Sequence, residues 1–157
     1  MPVPAPLPPP GGCTSIATIP AGTYLCSGTV SFATGVVGVG GPVELYVTAG
    51  GAAPTLDFSG AQVNFGGSAA NLVVHVVGPG LIVPGDASPG SFTGVIDAPG
   101  STLRSNPCGF SLIGAADVGS VDCVSGSGGP GPTLGTDPSL AAAYSPTWQA
   151  SSYRDGS

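Results

Sequence analysis

Short apolar runs, each ended by glycine or proline, recur along most of the chain. The most apolar of them, Leu72–Val77, ends at Gly78 and Pro79. Most runs have three to six residues and lie between turn residues, a pattern that predicts short strands joined by tight turns. The predicted strands cover residues 23–25, 29–32, 43–48, 55–58, 62–65, 72–77, 81–83, 92–97, 101–104, 110–113 and 118–124.

The polar positions between the apolar ones distinguish two all-β architectures. In a β-sandwich one face of each sheet is solvated and commonly charged, whereas here the outward positions are Thr, Ser, Ala, Gly or Asn. Residues 43–47, 73–77 and 93–97 are similar to one another, at irregular spacing, and are predicted to be equivalent faces of successive turns. We therefore expect a short parallel β-helix, a solenoid of stacked turns, with a β-sandwich as the alternative.

The two ends of the chain differ from this strand-rich middle. Residues 1–17 are predicted to be an extended Pro-rich arm, because prolines such as Pro8, Pro9 and Pro10 fix the backbone and remove hydrogen-bond donors. The arm is either a free tail or a contact with a neighbouring subunit. Residues 18–125 are predicted to form the β-helix domain, and residues 126–157 a Gly/Pro linker followed by a capping tail.

The C-terminal tail is predicted to contain one short helix and the chain's single Trp. Asp137 is a suitable N-cap for this helix, which runs to Tyr144 and is stopped by Pro146. Beyond it, Trp148 and Tyr153 either seal an open end of the solenoid or anchor a neighbouring molecule. The candidates for an assembly interface are Pro8, Pro9, Pro10, Tyr144, Trp148 and Tyr153.

Charge is scarce in this sequence. Only 6% of residues are charged and the net charge is −6, while 28 residues are Gly and 18 are Pro. The two basic residues, Arg104 and Arg154, are too few for the counterion release that drives binding to nucleic acid. No apolar run reaches the roughly 18–20 residues of a membrane span. A surface with so few charges favours contact with a partner.

The four cysteines indicate whether the protein belongs in an oxidising compartment. Cys13 and Cys26, and likewise Cys108 and Cys123, are close in sequence, so we expect these two disulfides, with free thiols as the alternative. Each would add about 3 kcal/mol by closing a short loop, and both would imply an oxidising compartment. Residues 1–10 lack the pattern of a signal peptide, which leaves a trimmed signal, another export route or assembly in a virion.

Paired carboxylates are the one candidate for catalysis, since glycoside hydrolysis uses two carboxyl groups about 5–10 Å apart. Asp57 and Asp97 lie inside predicted strands and are the pair considered first. Isolated, solvated acids are the simpler interpretation, and Arg104 is the one basic residue in the domain that a lyase could use. The acids considered are Glu44, Asp57, Asp86, Asp97, Asp117 and Asp122.

Two further features are expected to be structural. Period-two counting places His75 on the same side of its strand as Val73 and Val77, and a hydrogen-bonded structural histidine is expected there. Residues 35–41 are rich in glycine but lack the lysine of a phosphate-binding loop, so they are predicted to be a turn between strands. A single His and the absence of a Cys-x-x-Cys motif argue against a zinc site. No cofactor or metal is expected.

A set of turn and core motifs spans about residues 18–124 and the end of the tail. They are Pro20-Ala21-Gly22-Thr23-Tyr24, Val43-Glu44-Leu45-Tyr46-Val47-Thr48, Leu56-Asp57-Phe58-Ser59-Gly60, Phe92 to Leu103 and Ser152-Tyr153-Arg154-Asp155. With these motifs the chain resembles a β-helix domain family of high-GC Gram-positive bacteria, associated with pilus assembly and cell surfaces and of undefined biochemical role. Asp97 stands where that family often has an aromatic residue. The resemblance implies a right-handed parallel β-helix on a secreted or surface protein, without catalytic residues.

We therefore expect a non-enzymatic, extracellular or cell-surface structural module that self-assembles or docks into a filament, pilus or virion. Its partners would be copies of itself or other subunits of that structure. A carbohydrate-binding or adhesin module is the first alternative, and a polysaccharide-cleaving enzyme is the second. The residues available for a glycan-binding face are Tyr46, Gln62, Asn64 and Asn71.

Overall fold

The short apolar runs fold as strands of one curled, parallel sheet. A computed structural model of the chain describes residues 6–48, 55–84, 90–105, 109–123, 133–135, 137, 138, 140, 148–150 and 153–155, the last two ranges for the backbone alone. The strands are β1 (Thr18–Ile19), β2 (Gly22–Ser27), β3 (Val30–Ser31), β4 (Gly35–Val39), β5 (Val43–Thr48), β6 (Leu56–Asp57), β7 (Ala61–Val63), β8 (Leu72–Val77), β9 (Leu81–Val83), β10 (Ser91–Ser105), β11 (Ser111–Cys123), β12 (Thr133–Gly135), β13 (Trp148–Ala150) and β14 (Tyr153–Asp155). The described chain is therefore all-β, with a short 3₁₀ turn at Ala69–Asn71.

The strands recur in three positions, each of which forms a stack of parallel pairs. Stack A contains β2, β5, β8, the middle parts of β10 and β11, and β13. Stack B contains β3, β6, β9, the last parts of β10 and β11, and β14. Stack C contains β1, β4, β7, the first parts of β10 and β11, and β12. Along the chain the positions follow one another as A, B, C, and we call one such round a cycle. Each strand pairs with the strand at the same position in the next or the preceding cycle.

The core lies inside the curl and consists of aligned apolar side chains. In β5 and β8, buried and less buried residues alternate, as expected of strands with one face inward. Leu45, Val74 and Ile96 occupy the same register position in successive strands and are each at most 1% exposed. The ring of Phe92 lies 5.3 Å from that of Phe58, centroid to centroid. Each such buried side chain contributes about 1.5–3 kcal/mol through removal of apolar surface from water.

The Pro-rich segment packs on the chain's own sheet, where an extended arm was expected. The backbone N–H of Leu25 donates to the carbonyl oxygen of Leu7 (3.0 Å), so Leu7 adds to the edge of β2. Pro9 is buried and accepts a hydrogen bond from the N–H of Gly12 (2.9 Å). Further along, Ile16 pairs with Phe32 as an isolated bridge. The sheet therefore extends past the predicted boundary at residue 17.

A disulfide fixes this first cycle to the next one. Cys13 is bonded to Cys26 in β2, with Cα atoms 5.9 Å apart, and this is the pairing that their short separation favours. Cys123 is also disulfide-bonded, and Cys108, its expected partner, lies outside the described residues. None of the described cysteines is a free thiol.

The C-terminal tail also returns to the sheet. β12 pairs with the first part of β11, and β13 and β14 pair with its middle and last parts. The sheet thus extends past the predicted boundary at residue 125 as well. Of the predicted helix, the structure describes a 3₁₀ turn in which the N–H of Leu140 donates to the carbonyl oxygen of Asp137 (3.1 Å). The rest of that segment, with Tyr144, lies outside the described residues.

Three local predictions were wrong. Residues 35–41 were expected to be a turn, but Gly35–Val39 is strand β4, which pairs with both β1 and β7. The predicted strands at 92–97 and 101–104 are one strand, β10, with a register irregularity between Ala98 and Thr102. The predicted strands at 110–113 and 118–124 are likewise one strand, β11. In all three places the hydrogen bonds offered by neighbouring parallel strands outweigh the local turn preference.

Candidate functional site

Four polar or charged side chains meet on the outer face of stack A. Tyr46, His75 and Asp97 are consecutive partners across β5, β8 and β10, and Glu44 lies two residues before Tyr46 on the same side of β5. Parallel strands are about 4.8 Å apart, so side chains at one register position are in contact range. We call Glu44, Tyr46, His75 and Asp97 the His75 cluster.

Hydrogen bonds join the whole cluster. His75 Nδ1 lies 2.9 Å from Asp97 Oδ2, and His75 Nε2 lies 3.1 Å from Glu44 Oε1. Tyr46 donates its hydroxyl hydrogen to the same Oε1 atom of Glu44 (2.9 Å). The rings of Tyr46 and His75 are stacked, with centroids 4.7 Å apart and planes 17° from parallel. The imidazole of His75 is therefore held on two edges and one face.

The protonation state of His75 decides how many of these bonds form. Carboxylates only accept, so an imidazolium can donate to Glu44 and Asp97 at once, whereas a neutral ring donates to one of them. The side chain of His75 is 24% exposed, while those of Glu44 and Asp97 are 45% and 48% exposed. The three side chains therefore lie at the rim of the solvent, on three successive strands of stack A.

The cluster also changes the acidity of its phenol. The hydrogen bond to Glu44 raises the pKa of Tyr46 above its ordinary value of 10.0, and desolvation and the negative charge of Glu44 act in the same direction. Ionisation of the phenol would remove the donated hydrogen bond and place two anions side by side. The direction of this pKa shift is a property that a titration can measure.

A shallow hollow of about 270 Å³ lies beside Glu44. Its floor and walls are mostly apolar, and its polar groups include the hydroxyl of Thr23 and the carboxylate of Glu44. Oε1 of Glu44 is occupied by Tyr46 and His75, and no described residue donates to Oε2. The residues that line the hollow are Gly22, Thr23, Pro42, Val43, Glu44, Ala70 and Val73.

The structure separates the two acids that the sequence paired. Asp97 is in stack A, but Asp57 is in β6 of stack B, where its Oδ1 accepts the N–H of Ser59 (2.9 Å). Asp117 is the register partner of Asp97 in β11 and is exposed. Asp122 accepts from Arg104 Nε (3.3 Å), and Asp86 lies outside the described residues.

The residues proposed for a glycan-binding face are dispersed. Asn64 is 5% exposed, and its amide donates to the carbonyl oxygens of Ser68 (2.8 Å) and Thr93 (2.9 Å), so it is a structural residue. Gln62 is exposed in stack C, whereas Tyr46 belongs to the His75 cluster in stack A. No single face carries the set that the sequence suggested.

The interface candidates fall into two groups. Pro8 and Pro10 are exposed at the N-terminal edge, and Pro9 is buried by the chain itself. Trp148 and Tyr153 are in strands that pair with β11, so their backbone belongs to the chain's own last cycle. Tyr144 lies outside the described residues.

Sequence reasoning missed the His75 cluster as a unit. It placed His75 on the same side of its strand as Val73 and Val77, and the alternating burial of β8 confirms that these three residues share the less buried side. It had no means of showing that Glu44 and Asp97 flank the ring, because this depends on the register between strands. The available signal was a single histidine and two acids at outward positions of three similar segments.

No protein-family model, curated protein or solved structure matches this chain. Within the described ranges, no helix has the length and hydrophobicity needed to cross a membrane. No group of three or more His, Cys, Asp and Glu side chains in that part of the chain is arranged to hold a metal ion.

Proposed function

We propose that the chain is a non-enzymatic structural module of an extracellular or cell-surface assembly and that it docks end to end with a second copy of itself. The module would be a short right-handed parallel β-helix. The recurring A, B, C order of the strands supports this architecture, and parallel crossovers are right-handed in nearly all proteins. The Cys13–Cys26 disulfide is compatible with an oxidising compartment.

One observation at the C-terminal end carries the proposal. Leu134 of β12 continues a column of core residues in stack C, after Val63, Phe92 and Leu112. Those three residues are at most 3% exposed, but Leu134 is 51% exposed. No described strand pairs with the free edge of β12. An open strand edge beside an exposed core residue suits the addition of another chain.

The N-terminal end has the opposite character. Leu7 directs its backbone carbonyl towards β2, and its neighbours Pro6 and Pro8 have no N–H to offer to a further strand. Prolines on an edge strand discourage pairing with other molecules. The module therefore has one open and one protected end, which favours docking of limited extent over unlimited growth.

The proposal is tested by measuring mass against concentration in the analytical ultracentrifuge. We expect the average mass of the wild-type chain to rise with concentration. In Leu134→Asp the association constant should fall at least about tenfold, because the apolar contact is lost and a charge would be buried. The disulfide bonds should be kept intact throughout.

Val36→Asp is the matched control. Val36 is 66% exposed on the outer side of β4, away from the open end, so its replacement should leave association unchanged. A wild-type chain that stays monomeric at the highest attainable concentration would contradict the proposal. So would an equal loss of association in the two variants, because it would indicate a general effect of added charge.

A further inference from the structure

We propose that the hollow beside Glu44 binds one ring of a neutral carbohydrate. This inference is independent of end-to-end docking, because the hollow lies on the outer face of stack A. It concerns the carboxylate of Glu44, the hydroxyl of Thr23 and the apolar surface beside them. Each of these features matches a different part of a pyranose ring.

The carboxylate of Glu44 is prepared to accept hydrogen bonds. Tyr46 donates its hydroxyl hydrogen to Oε1 (2.9 Å) and His75 Nε2 lies 3.1 Å from the same atom, so the side chain is oriented before any ligand arrives. The second oxygen has no donor among the described residues. A fixed acceptor costs a ligand less ordering entropy than a mobile one.

The rest of the hollow suits the other groups of a sugar. Thr23 is exposed, and no described residue forms a hydrogen bond with its hydroxyl, which can both donate and accept. Pro42 and Val73 offer an apolar surface to the C–H face of a ring. A volume of about 270 Å³ is below the range of about 300–1,000 Å³ that takes drug-sized ligands, so it fits one ring.

Charge selects a neutral sugar over an acidic one. The net charge of the chain is −6, and Asp97 and Asp117 stand on the same face as Glu44. The sequence contains no lysine. Arg104, in stack B, donates a hydrogen bond to Asp122. A uronate or sialate carboxylate would therefore meet repulsion without a compensating cation.

The test uses the one histidine of the chain as a reporter. The chain has one histidine, so the imidazole NMR resonances of His75 are assigned without ambiguity. The ring lies within hydrogen-bond distance of Glu44. We would titrate the protein with cello-, chito- and manno-oligosaccharides, and with oligogalacturonate as the anionic counterpart. We expect a saturable shift with at least one neutral series and none with oligogalacturonate.

Two variants and one control identify the site. Glu44→Gln replaces the charged acceptor by a neutral amide, and Thr23→Val removes the hydroxyl, so each should weaken binding by about tenfold or more. Asp117→Asn removes a neighbouring charge outside the hollow and should leave the affinity unchanged. Thr23→Val, reported by the same His75 resonances, keeps the test valid should Glu44→Gln disturb the cluster. The proposal is overturned by the absence of a saturable shift with any neutral series, or by full affinity in both variants.

Discussion

At the scale of single residues, Tyr46 offers a direct measurement on the His75 cluster. Its hydrogen bond to Glu44 raises the phenol pKa above 10.0. The ultraviolet titration of the wild-type chain minus that of Tyr46→Phe should therefore show one phenol ionising above this value. Glu44→Gln should lower the midpoint, because Gln can still accept the hydrogen bond but carries no charge.

The same shift has a consequence for stability. A raised pKa in the folded state means that the unfolded phenol ionises first as the pH increases. The stabilisation from Tyr46 is fully present below the unfolded pKa and is lost as the pH rises through the folded pKa. Tyr46→Phe should not show this component of alkaline destabilisation. A midpoint at or below 10.0 would contradict the assigned hydrogen bond. A midpoint unaffected by Glu44→Gln would show that the charge of Glu44 does not contribute to the shift.

The register between strands explains why this cluster was not predictable as a unit. Aligning residues 43–47 with 73–77 places Tyr46 opposite Val76, whereas the structure pairs Tyr46 with His75. A slip of one residue moves a side chain to the other face of a strand. The sequence of each segment shows which of its residues share a face of the strand. It does not show which residues of the neighbouring strand lie opposite them. The side of the strand that His75 shares with Val73 and Val77 was predictable, and its contacts with Glu44 and Asp97 were not.

At the scale of elements, close stacking of glycines limits what the strands accept. Gly94 and Gly114 are register partners in β10 and β11. A Cβ atom on Gly114 would meet the carbonyl oxygen of Gly94, and the φ angle of Gly114 is +133°. We expect Gly114→Ala to cost about 3 kcal/mol or more in the free energy of unfolding, because two backbones would have to separate. Chemical denaturation would measure this loss.

Gly28 supplies the matched control for that substitution. Its φ angle is +88°, but no heavy atom lies within 4 Å of the position of an added Cβ. Gly28→Ala should therefore cost only about 1–2 kcal/mol, the conformational penalty of a left-handed residue. Equal losses in the two variants would show that backbone conformation, and not contact between strands, sets the requirement for glycine.

The strands themselves were largely predictable, and their exceptions have a common cause. Leu72–Val77 and Leu81–Val83 match their predicted bounds, since apolar runs between turn residues are a local signal. Gly35–Val39 was predicted to lie in a turn because the segment is rich in Gly, but it is a strand. Neighbouring strands supply its hydrogen bonds, and the N–H of Gly35, for example, donates to the carbonyl oxygen of Gly60 (3.0 Å). Contacts between residues distant in sequence therefore override local preference in this fold.

At the scale of the whole molecule, the two ends of the sheet are unequal. The first cycle is held by the Cys13–Cys26 disulfide and by Pro9, which is buried. The last cycle leaves Leu134 half exposed beside the free edge of β12. Because the N-terminal edge is protected, two copies are expected to meet through their open ends. A contact that uses the same surface on both copies closes into a dimer.

The protection of the N-terminal edge can be removed without deleting any part of the chain. Pro6 and Pro8 are exposed and flank Leu7, whose carbonyl faces β2, so their substitution by alanine adds two N–H donors on the outer side. We expect the Pro6→Ala/Pro8→Ala variant to keep its melting temperature within a few degrees and to associate more strongly than the wild type in the ultracentrifuge. Because the new edge would accept the open end of another copy, Leu134→Asp in the same chain should abolish the gain. Unchanged association in the double variant would indicate that the prolines do not protect this edge, and a gain that survives Leu134→Asp would show that the two N-terminal edges pair with each other.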